Sequence, residues 1–117
     1  MFFDKVPTIT SDQLKKIIQE KRNINIIDVR EPFEFKQGHI PGSINIPLDN
    51  IKNVQDNFKN NVYVVCHSGH RSNVATKYLI KKGIHAFSLK DGLLNWHGEL
   101  INSWNLLKKK NIYIFLF

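Results

Sequence analysis

Cysteine is almost absent from this chain: Cys66 is the only one in 117 residues. A lone thiol excludes an intramolecular disulfide and any zinc cluster built on several cysteines. Arginine is scarce as well, with Arg22, Arg30 and Arg71 standing against 14 lysines. Surface charge is therefore supplied by lysine, and an arginine points to a position that uses a planar, bidentate guanidinium. No segment reaches the ~18 apolar residues needed to span a bilayer. The first residues, Met1 to Lys5, lack a basic stretch followed by an apolar one, so a cytoplasmic protein without membrane contact is expected. Repeats and linkers rich in Pro, Gly or Ser are missing too, and nothing marks a second core.

What remains is an ordinary globular composition, 42% hydrophobic and 23% charged, at the size of one domain. The net charge of +7 is partly a tail effect, because 14 of the 17 basic residues and all 10 acidic ones precede Lys108, leaving +4 over residues 1–107. Isolated lysines without a recognition motif argue against nucleic-acid binding, while a basic face would suit an acidic protein partner.

Hydrophobic periodicity lays out an alternation of elements. Thr10 or Ser11 can cap a helix carrying Leu14, Ile17 and Ile18, which ends near Lys21 and Arg22. A short strand, Ile24 to Ile27, then delivers Asp28. Glu31 to Phe35 suits a short helix with proline in its first turn and Gly38 at its end. Ser43 to Pro47 alternates like a strand, and Leu48, Ile51, Val54 and Phe58 follow helical spacing. Asn61 to Val65 is the most strongly β-prone segment and is expected to be the central strand, covered on both faces. Beyond Cys66 and a polar loop, a helix of about ten residues is expected from Ser72, with Val74, Ala75, Tyr78, Leu79 and Ile80 as its apolar positions and Gly83 after it. Ile84 to Leu89 gives a further strand. Leu93, Trp96, Leu100, Trp104 and Leu107 predict a last amphipathic helix, with both tryptophans in the core. Short strands alternating with helices predict an α/β domain with a mostly parallel sheet, whose ligands lie at the carboxyl ends of the strands. Cys66 and Asp28 to Arg30 fall at such ends.

The segment Cys66-His67-Ser68-Gly69-His70-Arg71-Ser72 concentrates the chemistry. A free cysteine is usually a small buried hydrophobe. Here it precedes a helix, whose unpaired N–H groups favour a thiolate, and Arg71, His67 and His70 add positive potential. Gly69 allows the loop to curl so that its amides can hold an anion bound to Cys66.

These seven residues resemble the C-x-x-G-x-R-S active loop of rhodaneses. Asp28-Val29-Arg30-Glu31, Glu34 and Gly38-His39-Ile40-Pro41-Gly42-Ser43-Ile44-Asn45-Ile46-Pro47 resemble that family's "DVRE-x-x-E…GHIPGA-x-N-I-P" signature, and Gly92 with Trp96 its "G-x-x-x-W" motif. The likeness runs from about Ile9 to Trp96. It implies an α/β rhodanese-like fold, a central mostly parallel sheet of about five strands flanked by helices on both faces, formed by residues 1–100 with residues 101–117 as an extension. It also implies sulfur transfer without a cofactor: Cys66 carries sulfur as a persulfide, His67, Ser68, Gly69, His70, Arg71 and Ser72 bind the substrate, and Asp28 and Arg30 support the loop. Thiosulfate or a persulfide would be the donor, a thiol or cyanide the acceptor. His67 stands where many members carry a permanently charged residue, which favours a less charged donor.

Other readings are weaker. Phosphatases and arsenate reductases of related fold use a loop one residue longer, and a non-catalytic rhodanese-like carrier or regulatory module would not need the loop intact. A metal on Cys66, His67 and His70 would crowd three ligands onto one loop with no fourth. His39 and His97 have no catalytic spacing and are expected to be structural or superficial. The apolar residues Ile112 to Phe117 beyond the lysine run suggest an edge strand or self-association.

Overall fold

Val62, Tyr63, Val64 and Val65 are all buried, as expected of a β-branched run covered on both sides. In the computed structural model, which describes residues 5–55, 57–102, 104 and 108, they form one of five strands. In chain order these are β1 (Thr8–Ile9), β2 (Asn25–Asp28), β3 (Ile44–Asn45), β4 (Val62–Val65) and β5 (Ala86–Leu89). Every pairing is parallel, in the order β1-β5-β4-β2-β3, so β4 is central. Alternate residues of β4 serve two cores. Val62 and Val64 pack with Ile27, Val29, Ala75 and Leu79 on one face, and Tyr63 and Val65 pack with Ile9, Leu14, Ile26 and Leu89 on the other.

Helix α1 (Ser11–Gln19) covers the second face. Thr10, not Ser11, caps it: Gln13 N–H donates to Thr10 Oγ1 and Thr10 N–H to Gln13 Oε1, a reciprocal box. Helix α2 (Pro32–Gln37) starts with proline and is followed by Gly38. Helix α3 (His70–Lys81) follows β4 and packs on the first face. The α/β class, the parallel sheet and helices on both faces match the expectation.

The details differ in four places. Strand β1, hydrogen-bonded to β5 at Thr8↔Ser88, is too short to leave a pattern of its own. The stretch from Leu48 is a 3₁₀ turn ending at Asn53, because a chain rich in asparagine has little helical propensity. Helix α3 begins two residues before Ser72 and buries Ser72, Ala75, Thr76 and Leu79, while Val74, Tyr78 and Ile80 are exposed. The final amphipathic helix is absent over its first half. Gly92–Asn95 forms a 3₁₀ turn, Trp96 is extended, and Ile101 makes an antiparallel bridge with His39. Backbone bonds to the loop after β4 hold this segment out of helical register. Trp96 packs partly against the second core, Trp104 is half exposed, and Leu107 and the apolar residues 112–117 lie outside the described residues. No helix among the described residues is long and apolar enough to cross a membrane.

Candidate active site

Register brings three strand ends together: Asp28 pairs with Val65 on one side and Asn45 on the other. Cys66 follows Val65 directly, at 1% exposure. Gly69, at φ +104, turns the chain into α3 in the left-handed region that an L side chain resists. The turn aims two amides at the sulfur: Gly69 N lies 3.0 Å and Ser72 N 3.3 Å from Cys66 Sγ. Ser72 Oγ is 3.4 Å from Sγ and 2.7 Å from Ser88 Oγ on β5, and it donates to Gly69 O at 3.1 Å. The sulfur therefore sits at a helix N-terminus among donors suited to a thiolate or to an anion bound on it.

The 3₁₀ turn backs this loop. Leu93 N–H donates to Cys66 O and Leu94 N–H to His67 O, at 2.9 and 3.0 Å. Gly92 permits the approach, since a Cβ there would lie 2.4 Å from His67 O. Of the residues expected around the substrate, Gly69 and Ser72 are brought to the sulfur, whereas His67, Ser68 and His70 are exposed.

Both site arginines have taken carboxylate partners. Arg30 Nε lies 2.9 Å from Asp28 Oδ1 and Nη2 2.7 Å from Oδ2, with Nη2 also donating to Gly38 O. Asn45 Nδ2 donates to the Asp28 and Arg30 carbonyls, tying the end of β2 to β3. Arg71 Nη1 and Nη2 reach Glu34 Oε1 and Oε2 at 2.7 and 3.0 Å. The guanidinium fork thus grips α2 in this structure. Arg71 holds the Glu34 carboxyl at about 2, against partial burial, which pulls it up; the Glu31 amide and the more distant Arg30 help. Glu34 in turn raises Arg71 above its usual value.

Sequence reasoning did not single out Glu34, Ser88 or Gly92 as parts of the site. Glu34 had a signal as the second glutamate of the "DVRE-x-x-E" run, and Ser88 as a hydroxyl inside an apolar strand. His39 is structural: its ring stacks on Phe35 at 3.7 Å and its Nδ1 lies 2.7 Å from Phe35 O. Among the described residues, no three His, Cys, Asp or Glu side chains gather as metal ligands.

A thiol cradled by helix-start amides at the carboxyl end of a five-stranded parallel sheet agrees with what comparison finds. The rhodanese-like domain model matches residues 10–99. The chain belongs to the rhodanese-like family. Its relatives include the putative sulfurtransferase YtwF of Bacillus subtilis, 32% identical over 97 residues, an alignment covering 81% of this chain and 94% of that one. The putative sulfur carrier protein YrkF of the same organism is also 32% identical over 97 residues, covering 80% of this chain. This rhodanese-like chain spans about half of YrkF, 52% of its length. Among solved structures, a rhodanese-like domain protein from Staphylococcus aureus superposes with a TM-score of 0.76 at 34% identity, over 83% of this chain and 98% of that one.

Proposed function

We propose that this rhodanese-like chain is a sulfurtransferase that takes sulfane sulfur from thiosulfate or a persulfide onto Cys66 and passes it to a thiol or cyanide. The observation that carries the reading is the pair of amides 3.0 and 3.3 Å from a buried Sγ. Cys66 thiolate attacks the outer sulfur of the donor, forming a new S–S bond while the donor's own S–S bond breaks. Thiosulfate leaves as sulfite, and a protonated persulfide leaves as its thiolate. The electron pair of the broken bond stays with the leaving group, so no outside oxidant or reductant is needed. The acceptor then attacks the terminal sulfur and restores the thiolate. Loop amides hold the negative charge at each stage, as donors at an oxyanion site do. A reducing cytoplasm suits a catalytic thiol, and residues 1–100 carry the whole site.

Mass spectrometry after incubation with thiosulfate or a small thiol persulfide tests this. The wild type is expected to gain about 32 Da on Cys66 and the Cys66→Ser variant nothing. Equal mass gains for the two would end the proposal. The name of the YrkF relative favours a second reading, a carrier that holds sulfur for a partner protein. Cys66 loading followed by delivery to cyanide no faster than from Cys66→Ser would select it.

A further inference from the structure

The Glu34–Arg71 pair bears on which donor the loop accepts. An arginine five residues after the nucleophile would attract a dianion strongly if its guanidinium were free. Here both ends of the fork are occupied by one carboxylate, at 2.7 and 3.0 Å. Arg30, the other site arginine, is spent on Asp28 in the same way. Neither site arginine therefore presents an uncompensated positive charge to a dianion. Two loop amides already point at Sγ itself. The elements that frame the loop also carry exposed apolar side chains: Leu94, on the turn bonded to His67 O, is 69% exposed, and Phe33, beside Glu34 on α2, is 65% exposed.

We propose that Glu34 is a specificity-determining residue that, by cancelling Arg71, selects a persulfide on an uncharged carrier over the thiosulfate dianion. The inference rests on the sulfurtransferase reading. In the favoured step Cys66–S⁻ and R–S–SH give Cys66–S–SH and R–S⁻, which moves one charge through the site where thiosulfate would bring two.

The test measures second-order rates of sulfur loading on Cys66 at low salt, by the gain of about 32 Da, from thiosulfate and from 2-hydroxyethyl persulfide. The wild type is expected to prefer the persulfide by about tenfold or more, and Glu34→Gln, which frees Arg71, to shift the ratio toward thiosulfate by about five- to twentyfold. A purely structural role for Glu34 would slow both donors alike, and an unchanged ratio in a folded variant overturns the proposal. Should Glu34→Gln fail to fold, the wild type decides alone: 2-sulfoethyl persulfide, which adds one negative charge to the carrier, is expected to load more slowly than the hydroxyethyl compound, and equal rates overturn the inference. Loading from neither donor would sink the sulfurtransferase reading itself, whereas loading from both with thiosulfate preferred would sink only the role of Glu34.

Discussion

Asp28–Arg30 and Glu34–Arg71 share a geometry but differ in setting. Each joins a guanidinium to a carboxylate through both oxygens, yet the first pair is sealed, with side chains 0% and 8% exposed, and the second opens to solvent at 23% and 31%. Inside the protein two charges survive only when each satisfies the other, so the inner pair is scaffold: it welds the end of β2 to the Gly38 carbonyl and cannot be altered on one side alone. At the rim, water supports either partner by itself, so the outer pair can be altered without collapse. A charge that can change without unfolding the protein is available to tune chemistry.

Breaking the inner pair should give the largest effect. Arg30→Met leaves Asp28 buried without its counter-ion and is expected to cost about 3–5 kcal/mol in urea unfolding. A loss below about 1 kcal/mol would erase the distinction between the pairs. Glu34→Gln, by contrast, is expected to cost about 1 kcal/mol at neutral pH, because solvent screens the pair. The acid side sharpens this. Glu34 is held at about 2, below its usual 4.5, so its contribution is fully present above 4.5 and fades as pH falls toward 2. Acid unfolding curves of wild type and Glu34→Gln should converge across that window; a constant offset between them would mean that the ionised Glu34 carboxylate contributes nothing to stability. Salt should produce the smallest effect. In 1 M NaCl, where screening acts over about 3 Å, the Glu34→Gln difference is expected to shrink by a few tenths of a kcal/mol, and the Arg30→Met difference to stay as it was.

How far each region could be read beforehand follows from how local its determinants are. The run from Val62 through Cys66 to Leu79 announces itself, since a buried strand, a polar turn and a helix each leave a pattern within a few residues. Strand β1 leaves none, because Thr8 and Ile9 become a strand only by lying beside Ser88 and Leu89. The stripe from Leu93 has helical spacing, but spacing is blind to the Cys66 and His67 carbonyls that capture its first amides. Likewise, the rarity of arginine signalled that Arg71 needs a planar anion. It could not say whether that anion is a substrate or Glu34, 37 residues earlier in the chain.

The contact between Gly92 and the loop bears on what this scaffold could be turned into. With no room for a methyl group against the His67 carbonyl, and with two amides clasping the loop from behind, the ring of atoms around Cys66 has a fixed circumference. Lengthening it by one residue to seat a tetrahedral oxyanion would push the chain into that clasp. An engineer, or a lineage drifting toward phosphate or arsenate chemistry, would therefore have to rebuild residues 91–94 together with residues 66–72, two distant stretches changing in step.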